Sequence, residues 1–152
     1  MSQRAVEQMW RIFCLESGID ETEPHEAWAF CGGSALGDEL AELVLRGVKT
    51  ATASAYIAYE TEKEPLPVEG QYSIILYDDG RPACVIRSAK VTLVPFDEVS
   101  SEHAFREGEG SRTLEEWRDA HRAAFAPDYA AAGKEFDERG LVVLEEFVRV
   151  FP

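Results

Sequence analysis

The chain has 152 residues, 15 basic and 29 acidic, for a net charge of −14. That length suits one domain over residues 1–152 with a core that needs no staples, and the charge opposes tight nonspecific binding to long polyanions, which works by neutralising phosphates. No apolar run approaches the ~20 residues of a membrane span, and the acidic N-terminus offers no secretory cleavage site, so a cytoplasmic location without membrane contact is expected. Three widely spaced cysteines, Cys14, Cys31 and Cys84, argue against a disulfide framework or a zinc site and for buried free thiols.

Taken in chain order, Val6, Met9, Trp10 and Phe13 fall on one face of a helix over residues 2–17, which Gly18 ends. The polar stretch IDETEPHEAW, broken by Pro24, reads as a loop, and Trp28 and Phe30 precede a break at Gly32-Gly33. Ser34 is placed to cap a second helix carrying Leu36, Leu40, Leu43 and Val44, with Asp38 and Glu39 early in it and Gly47 at its left-handed close. Val48, Thr50 and Thr52 then alternate with Lys49, Ala51 and Ala53, a short strand by period and propensity. Residues 59–70, YETEKEPLPVEG, read as an acidic loop. QYSIILY, the turn Asp78-Asp79-Gly80 and ACVIRSAKVTLVPF give a strong hairpin signal. A short helix is expected at SEHAFREG, a capping box of Thr113 and Glu116 opens TLEEWRDAHRAAF, and LVVLEEFVRVF is a final strand. Strands not regularly alternated with crossover helices predict an α+β fold, a small antiparallel or mixed barrel flanked by helices.

Four segments, in this order, resemble the ASCH domain family: RGVKTATAS after an amphipathic helix, EPLPVEGQYSIILYDDGRPACVIRSAKVTLVPFDEV, EGEGSRTLEEWRDAH and GLVVLEEFVRVF. The family signature is a Gly-x-Lys-Thr stretch at the start of the first barrel strand, matched by Gly47, Lys49 and Thr50. The resemblance covers residues 25–152 and leaves 1–24 as an N-terminal helical extension and loop. It implies a PUA-like fold with a cleft between barrel and helices, in a superfamily associated with RNA and modified nucleosides. Members resembling this chain include amidohydrolases that remove the acyl group from N4-acetylcytidine, and nucleic-acid binders with ribonuclease activity. In the amidohydrolases a lysine works with a threonine three residues later and a glutamate further on. Carried over, these are Lys49, Thr52 and either Glu107 or Glu109 of REGEGSR. Glu109, between two glycines where backbone can approach a ligand closely, is preferred.

A threonine hydroxyl attacks only once a base removes its proton. A lysine serves as that base when desolvation lowers its pKa from ~10.4 toward about 7–8. Lys49 and Thr52 lie three positions apart, so a flat strand would point them to opposite faces, and converging them requires a bend. Gly47, Thr50, Ser54, Tyr56, Arg87, Glu107, Arg112, Trp117 and Arg118 complete the candidate substrate-binding set. Arg87 suits a salt bridge or an anion contact equally. Arg112, Arg118 and Arg122 form a basic patch able to receive a phosphate, offset by Glu115, Glu116 and Asp119. Tyr56, Tyr59, Trp28 and Trp117 are either core residues or stacking platforms for a base. His103 and His121 stand apart from any zinc-ligand spacing.

These readings predict a protein acting on or binding a modified pyrimidine nucleoside or nucleotide, in its enzymatic form an N4-acylcytidine amidohydrolase. The alternatives are a single-stranded RNA-binding or RNA-cleaving module with a positive cleft of Lys49, Arg87, Arg112 and Arg118, and a ligand-sensing domain without catalysis. No cofactor is expected, except a divalent cation on Glu107 or Glu109 if the ribonuclease reading holds.

Overall fold

The computed structural model of the protein describes residues 2–152. Helices form where apolar residues recur with the helical period, as in Ser2–Ser17 and Ala35–Leu45, and strands form where the chain is rich in β-branched and aromatic residues, as in Pro82–Pro95 and Leu141–Phe151. In order these are α1 (Ser2–Ser17), β1 (His25–Ala29), a 3-10 turn (Phe30–Gly32), α2 (Ala35–Leu45), β2 (Ala51–Ala55), α3 (Tyr56–Glu62), β3 (Tyr72–Leu76) and β4 (Pro82–Pro95). A second 3-10 turn (Phe96–Glu98), α4 (Ser101–Glu107), α5 (Leu114–Ala131) and β5 (Leu141–Phe151) follow.

The five strands form one sheet in the order β1-β3-β4-β5-β2. β1 runs parallel to β3, and every other neighbouring pair is antiparallel. The register shifts between Ser88 and Lys90 of the 14-residue β4, and such a bulge bends a strand and increases its twist. The sheet therefore curls into a half-barrel, and its two edge strands, β1 and β2, both border one cleft on the concave side.

Alternation along β3 divides the core. Ile74 faces α1 and packs with Trp10, Phe13, Cys14 and Val85 on the convex side. Ile75 faces the opposite way and packs with Cys84, Ile86 and Phe147 against Leu40, Ala41 and Val44 of α2, which fills one end of the concave side. A third cluster joins α4 and α5 to the sheet through Phe96, Val99, Ala104, Trp117, Phe125, Tyr129 and Val142. The N-terminal helix thus covers the back of the sheet.

The structure departs from the sequence expectations in four places. Residues 25–29, expected as loop, form β1, because β3 supplies a parallel edge for a segment with little strand propensity of its own. Residues 56–62, partly within the expected acidic loop, form α3. Regular β2 begins at Ala51, not at Val48, so Lys49 lies in the connection before the strand. Cys31 is exposed, whereas Cys14 and Cys84 are buried as expected, and all three are free thiols. Among the described residues no helix is long and apolar enough to cross a membrane.

Candidate active site

Ser34 caps α2 by accepting a hydrogen bond from the Gly37 amide, and Gly47, at φ 76°, closes the helix in the left-handed region. The amides of Val48 and Lys49 both donate to the Leu43 carbonyl, at 2.9 and 3.1 Å. That tight exit turns the Lys49 side chain inward, where none of it is exposed. Its ammonium donates to the Ala51 carbonyl (2.8 Å), to Glu109 Oε2 (2.7 Å) and to the Glu107 carbonyl (3.4 Å), and lies 3.6 Å from Glu107 Oε1. An ammonium has three protons, and these acceptors satisfy a charge that would otherwise be expensive to bury.

Glu107 ends α4 and is also fully buried. Its Oε2 accepts from Trp117 Nε1 at 2.6 Å and from His103 Nε2, one helical turn back, at 2.8 Å. Its Oε1 lies 3.4 Å from His121 Nε2. His121 Nδ1 lies 2.7 Å from the Trp117 carbonyl. The His121 ring stacks on the Trp117 indole at 4.1 Å. Burial pushes the Glu107 carboxyl up, but the hydrogen bonds from His103 and His121 and the Lys49 charge outweigh it and hold the group well below the usual carboxylate range.

Gly108 follows in the left-handed conformation (φ 74°), and a Cβ there would sit 2.6 Å from the Val48 carbonyl. This close approach of the α4 end to the α2–β2 connection places Glu109 beside Lys49. Glu109 Oε2 takes the ammonium, whereas Oε1 accepts no hydrogen bond among the described residues, and the side chain is 32% exposed on the cleft wall.

The cleft has two lobes. One, of about 880 Å³, lies between β1 and β2 under the segment Pro65–Gln71. The other, of about 640 Å³, is lined by Glu107, Glu109, His121 and Phe125. Phe30, Cys31, Thr52, Ala53, Ser54 and Tyr59 border both. Among the described residues no Lys or Arg lines either lobe, while Glu23, Glu26, Glu62, Glu64, Glu69, Asp128 and Glu145 do. No group of three or more His, Cys, Asp or Glu side chains is arranged to hold a metal ion among the described residues.

A model of the ASCH domain matches residues 26–151. This chain belongs to the ASCH domain family. The fold is that of an ASCH domain from Lactobacillus crispatus JV V101, at 33% identity and a TM-score of 0.87 over 99% of this chain and 94% of that one. A protein from Enterococcus faecalis V583 is 35% identical with a TM-score of 0.88, covering 98% of this chain and 90% of its own. No curated protein matches the sequence.

In this ASCH domain Lys49, Glu107 and Glu109 are brought together, and Thr52 lines both lobes of the cleft. Among the described residues no hydrogen bond joins Lys49 to Thr52, because the ammonium is already committed to its carbonyl and carboxylate acceptors. Ser54 borders the cleft with its hydroxyl 2.7 Å from Tyr59 Oη. Thr50 lies beside α4, its Oγ1 3.4 Å from the Arg106 carbonyl. Tyr56 opens α3 outside the lining, where Tyr59 and Trp28 stand instead. Trp117 is buried beneath Glu107 and serves as its donor.

The expected positive cleft does not form. Lys49 is buried, and Arg87 is exposed with its guanidinium 5.9 Å from the Tyr72 ring centre. Arg112 donates to the Phe105 carbonyl at 2.9 Å and lies on the Phe105 ring. Arg118 reaches the Asp97 carbonyl at 3.1 Å, with its Nε buried and unpartnered among the described residues. Arg122 pairs with Glu138 and Asp119. The sequence reading missed His103 and His121 as partners of Glu107. The i, i+4 spacing of His103 and Glu107 was the one local signal for them.

Proposed function

We propose that this ASCH domain binds an N4-acylated pyrimidine nucleoside and hydrolyses its exocyclic amide. The observation that carries the reading is Glu109: one oxygen is fixed by a buried ammonium at 2.7 Å, and the other, unbonded among the described residues, stands at the wall of a cleft whose described lining holds no Lys or Arg. Trp28, Phe30 and Tyr59 are the aromatic residues that line the larger lobe, and base stacking is assigned to them in this reading.

In this mechanism the Thr52 hydroxyl attacks the amide carbonyl and its proton passes to Glu109 Oε1. The tetrahedral intermediate collapses as the C–N bond breaks, and Glu109 returns the proton to the leaving exocyclic amine. The acyl group is then an ester on Thr52. A water deprotonated by Glu109 attacks that ester, the carboxylic acid departs, and Thr52 regains its proton. Lys49 acts as a fixed counter-charge that orients Glu109. In this reading Glu109 rather than Lys49 is the base, since the ammonium hydrogen-bonds the Ala51 and Glu107 carbonyls and Glu109 Oε2.

The test is incubation with N4-acetylcytidine, following cytidine by chromatography. Turnover by the native protein and its loss in Thr52→Ala are expected. Binding without turnover would sink the hydrolase reading and favour a ligand-sensing domain. The ribonuclease reading draws no support from the acidic cleft.

A further inference from the structure

The larger lobe contains a polar group that the proposed chemistry leaves unused. Ser73 of β3 lies on the same face as the core residue Ile75, and only 9% of it is exposed. Its hydroxyl has no hydrogen-bond partner among the described residues and borders the cleft. Because it opens on the cleft, that hydroxyl is free to pair with a ligand in place of water.

Glu145 of β5 borders the same lobe. One of its oxygens accepts from Ser88 Oγ at 3.1 Å, and Ser88 is itself buried. The other oxygen accepts no hydrogen bond among the described residues. Burial, chiefly, and the nearby Glu26 carboxylate raise the Glu145 pKa, against a smaller lowering by Ser88. The free Glu145 oxygen and the Ser73 hydroxyl give this corner two groups able to pair with the hydroxyls of a ligand. Glu145 is also directly opposite Thr52 in the β2–β5 register, so the corner adjoins the reaction lobe.

Resting on the nucleoside reading above, we infer that Ser73 and Glu145 form a ribose subsite that binds the sugar's vicinal hydroxyls and restricts this cleft to nucleosides without phosphate. A carboxylate oxygen and a serine hydroxyl can together serve the two adjacent hydroxyls of a ribose. In a pyrimidine nucleoside the sugar at N1 and the exocyclic nitrogen at C4 lie across the ring from each other. A two-lobed cleft joined at Phe30, Thr52 and Tyr59 matches that layout, with the sugar in the larger lobe and the amide at Glu109. A 5′-phosphate would meet Glu23, Glu26 and Glu69, with no Lys or Arg of the described residues lining the lobe to balance it.

Titration calorimetry with cytidine, 2′-deoxycytidine and cytidine 5′-monophosphate tests the subsite without requiring turnover. The native protein should bind cytidine about tenfold more tightly than either of the others, the scale of one or two good hydrogen bonds. Glu145→Gln and Ser73→Ala should weaken cytidine binding and remove its advantage over 2′-deoxycytidine, with unchanged melting temperatures. Glu26→Gln should improve binding of the monophosphate alone. Equal affinity for cytidine and 2′-deoxycytidine, or a monophosphate bound as tightly as cytidine, would overturn the subsite even if N4-acetylcytidine is hydrolysed. Discrimination among the three ligands without hydrolysis would uphold the subsite and sink the hydrolase reading. No binding of any of them would overturn both.

Discussion

Glu107 accepts from Trp117 and His103 on one oxygen and faces Lys49 and His121 with the other, so both oxygens of this buried carboxylate meet a donor or a positive charge. Glu109, two residues on, has the same lysine on one side and the cleft on the other. The first arrangement holds the fold together, and the second leaves an oxygen for a ligand. Removing one partner from a buried ionic cluster typically costs about 3–5 kcal/mol, so Glu107→Gln should lower stability by about 3 kcal/mol in denaturant titrations. The pH dependence follows from the depressed carboxyl. Because Glu107 binds its proton less readily folded than unfolded, its stabilisation is complete above the ordinary value of 4.5 and is lost as pH falls below it. Acid titration of stability should therefore fall more steeply below about pH 4.5 in the native protein than in Glu107→Gln. Parallel curves would show that Glu107 is not the group responsible.

At the scale of elements, the meeting of α4 with the α2–β2 connection decides where Glu109 stands. Gly108 permits it, since its left-handed φ and the Val48 carbonyl leave no room for a Cβ. Gly108→Ala should cost at least the ~1–2 kcal/mol of left-handed strain, and should lower nucleoside hydrolysis by displacing Glu109, although position 108 lines neither lobe. A variant of native stability and native rate would contradict that role.

Local signals made several elements legible in the sequence. The hairpin turn at Asp78-Asp79-Gly80, the Ser34 cap and the Val- and Phe-rich run of β5 are each encoded in a few neighbouring residues. Strand β1 was not legible, because HEAWA becomes a strand only through a partner far away in the chain. Of the candidate site, Lys49, Thr52 and Glu109 could be placed through the family resemblance. The parity objection to a Lys49–Thr52 pair assumed that both lie in one strand, and Lys49 lies before it. The His103–Glu107–His121 cluster was hidden because it exists only once α4 and α5 pack together. The capping box was half right: Thr113 accepts from the Glu116 amide, but the Glu116 carboxylate reaches the Ser111 amide instead of Thr113.

Over the whole molecule, the net charge of −14 is mirrored in the cleft, whose described lining holds carboxylates and no Lys or Arg. A cleft of that sign repels phosphate, whereas RNA binding needs phosphate neutralisation. Cys31 reports on this cleft directly, being the exposed thiol and bordering both lobes. Burial and Glu109 raise its pKa, so labelling is best read at mildly alkaline pH. In the folded protein an alkylating reagent should modify Cys31 while Cys14 and Cys84 stay protected, the Cys84 thiol being pushed up to about 12 by burial. Saturating cytidine should slow the labelling of Cys31, and an unchanged rate would place the ligand elsewhere.

The central claim is the division of labour between two carboxylates that share Lys49, and one paired measurement addresses it. The rate of cytidine release from N4-acetylcytidine and the melting temperature are to be determined together for the native protein, Glu109→Gln and Glu107→Gln. Glu109→Gln, at a partly exposed position, should lose less melting temperature than Glu107→Gln and release cytidine at least about 100-fold more slowly than the native protein, the scale of a lost general acid–base. Glu107→Gln should melt well below both. A Glu109→Gln protein that turns over at the native rate would contradict the account.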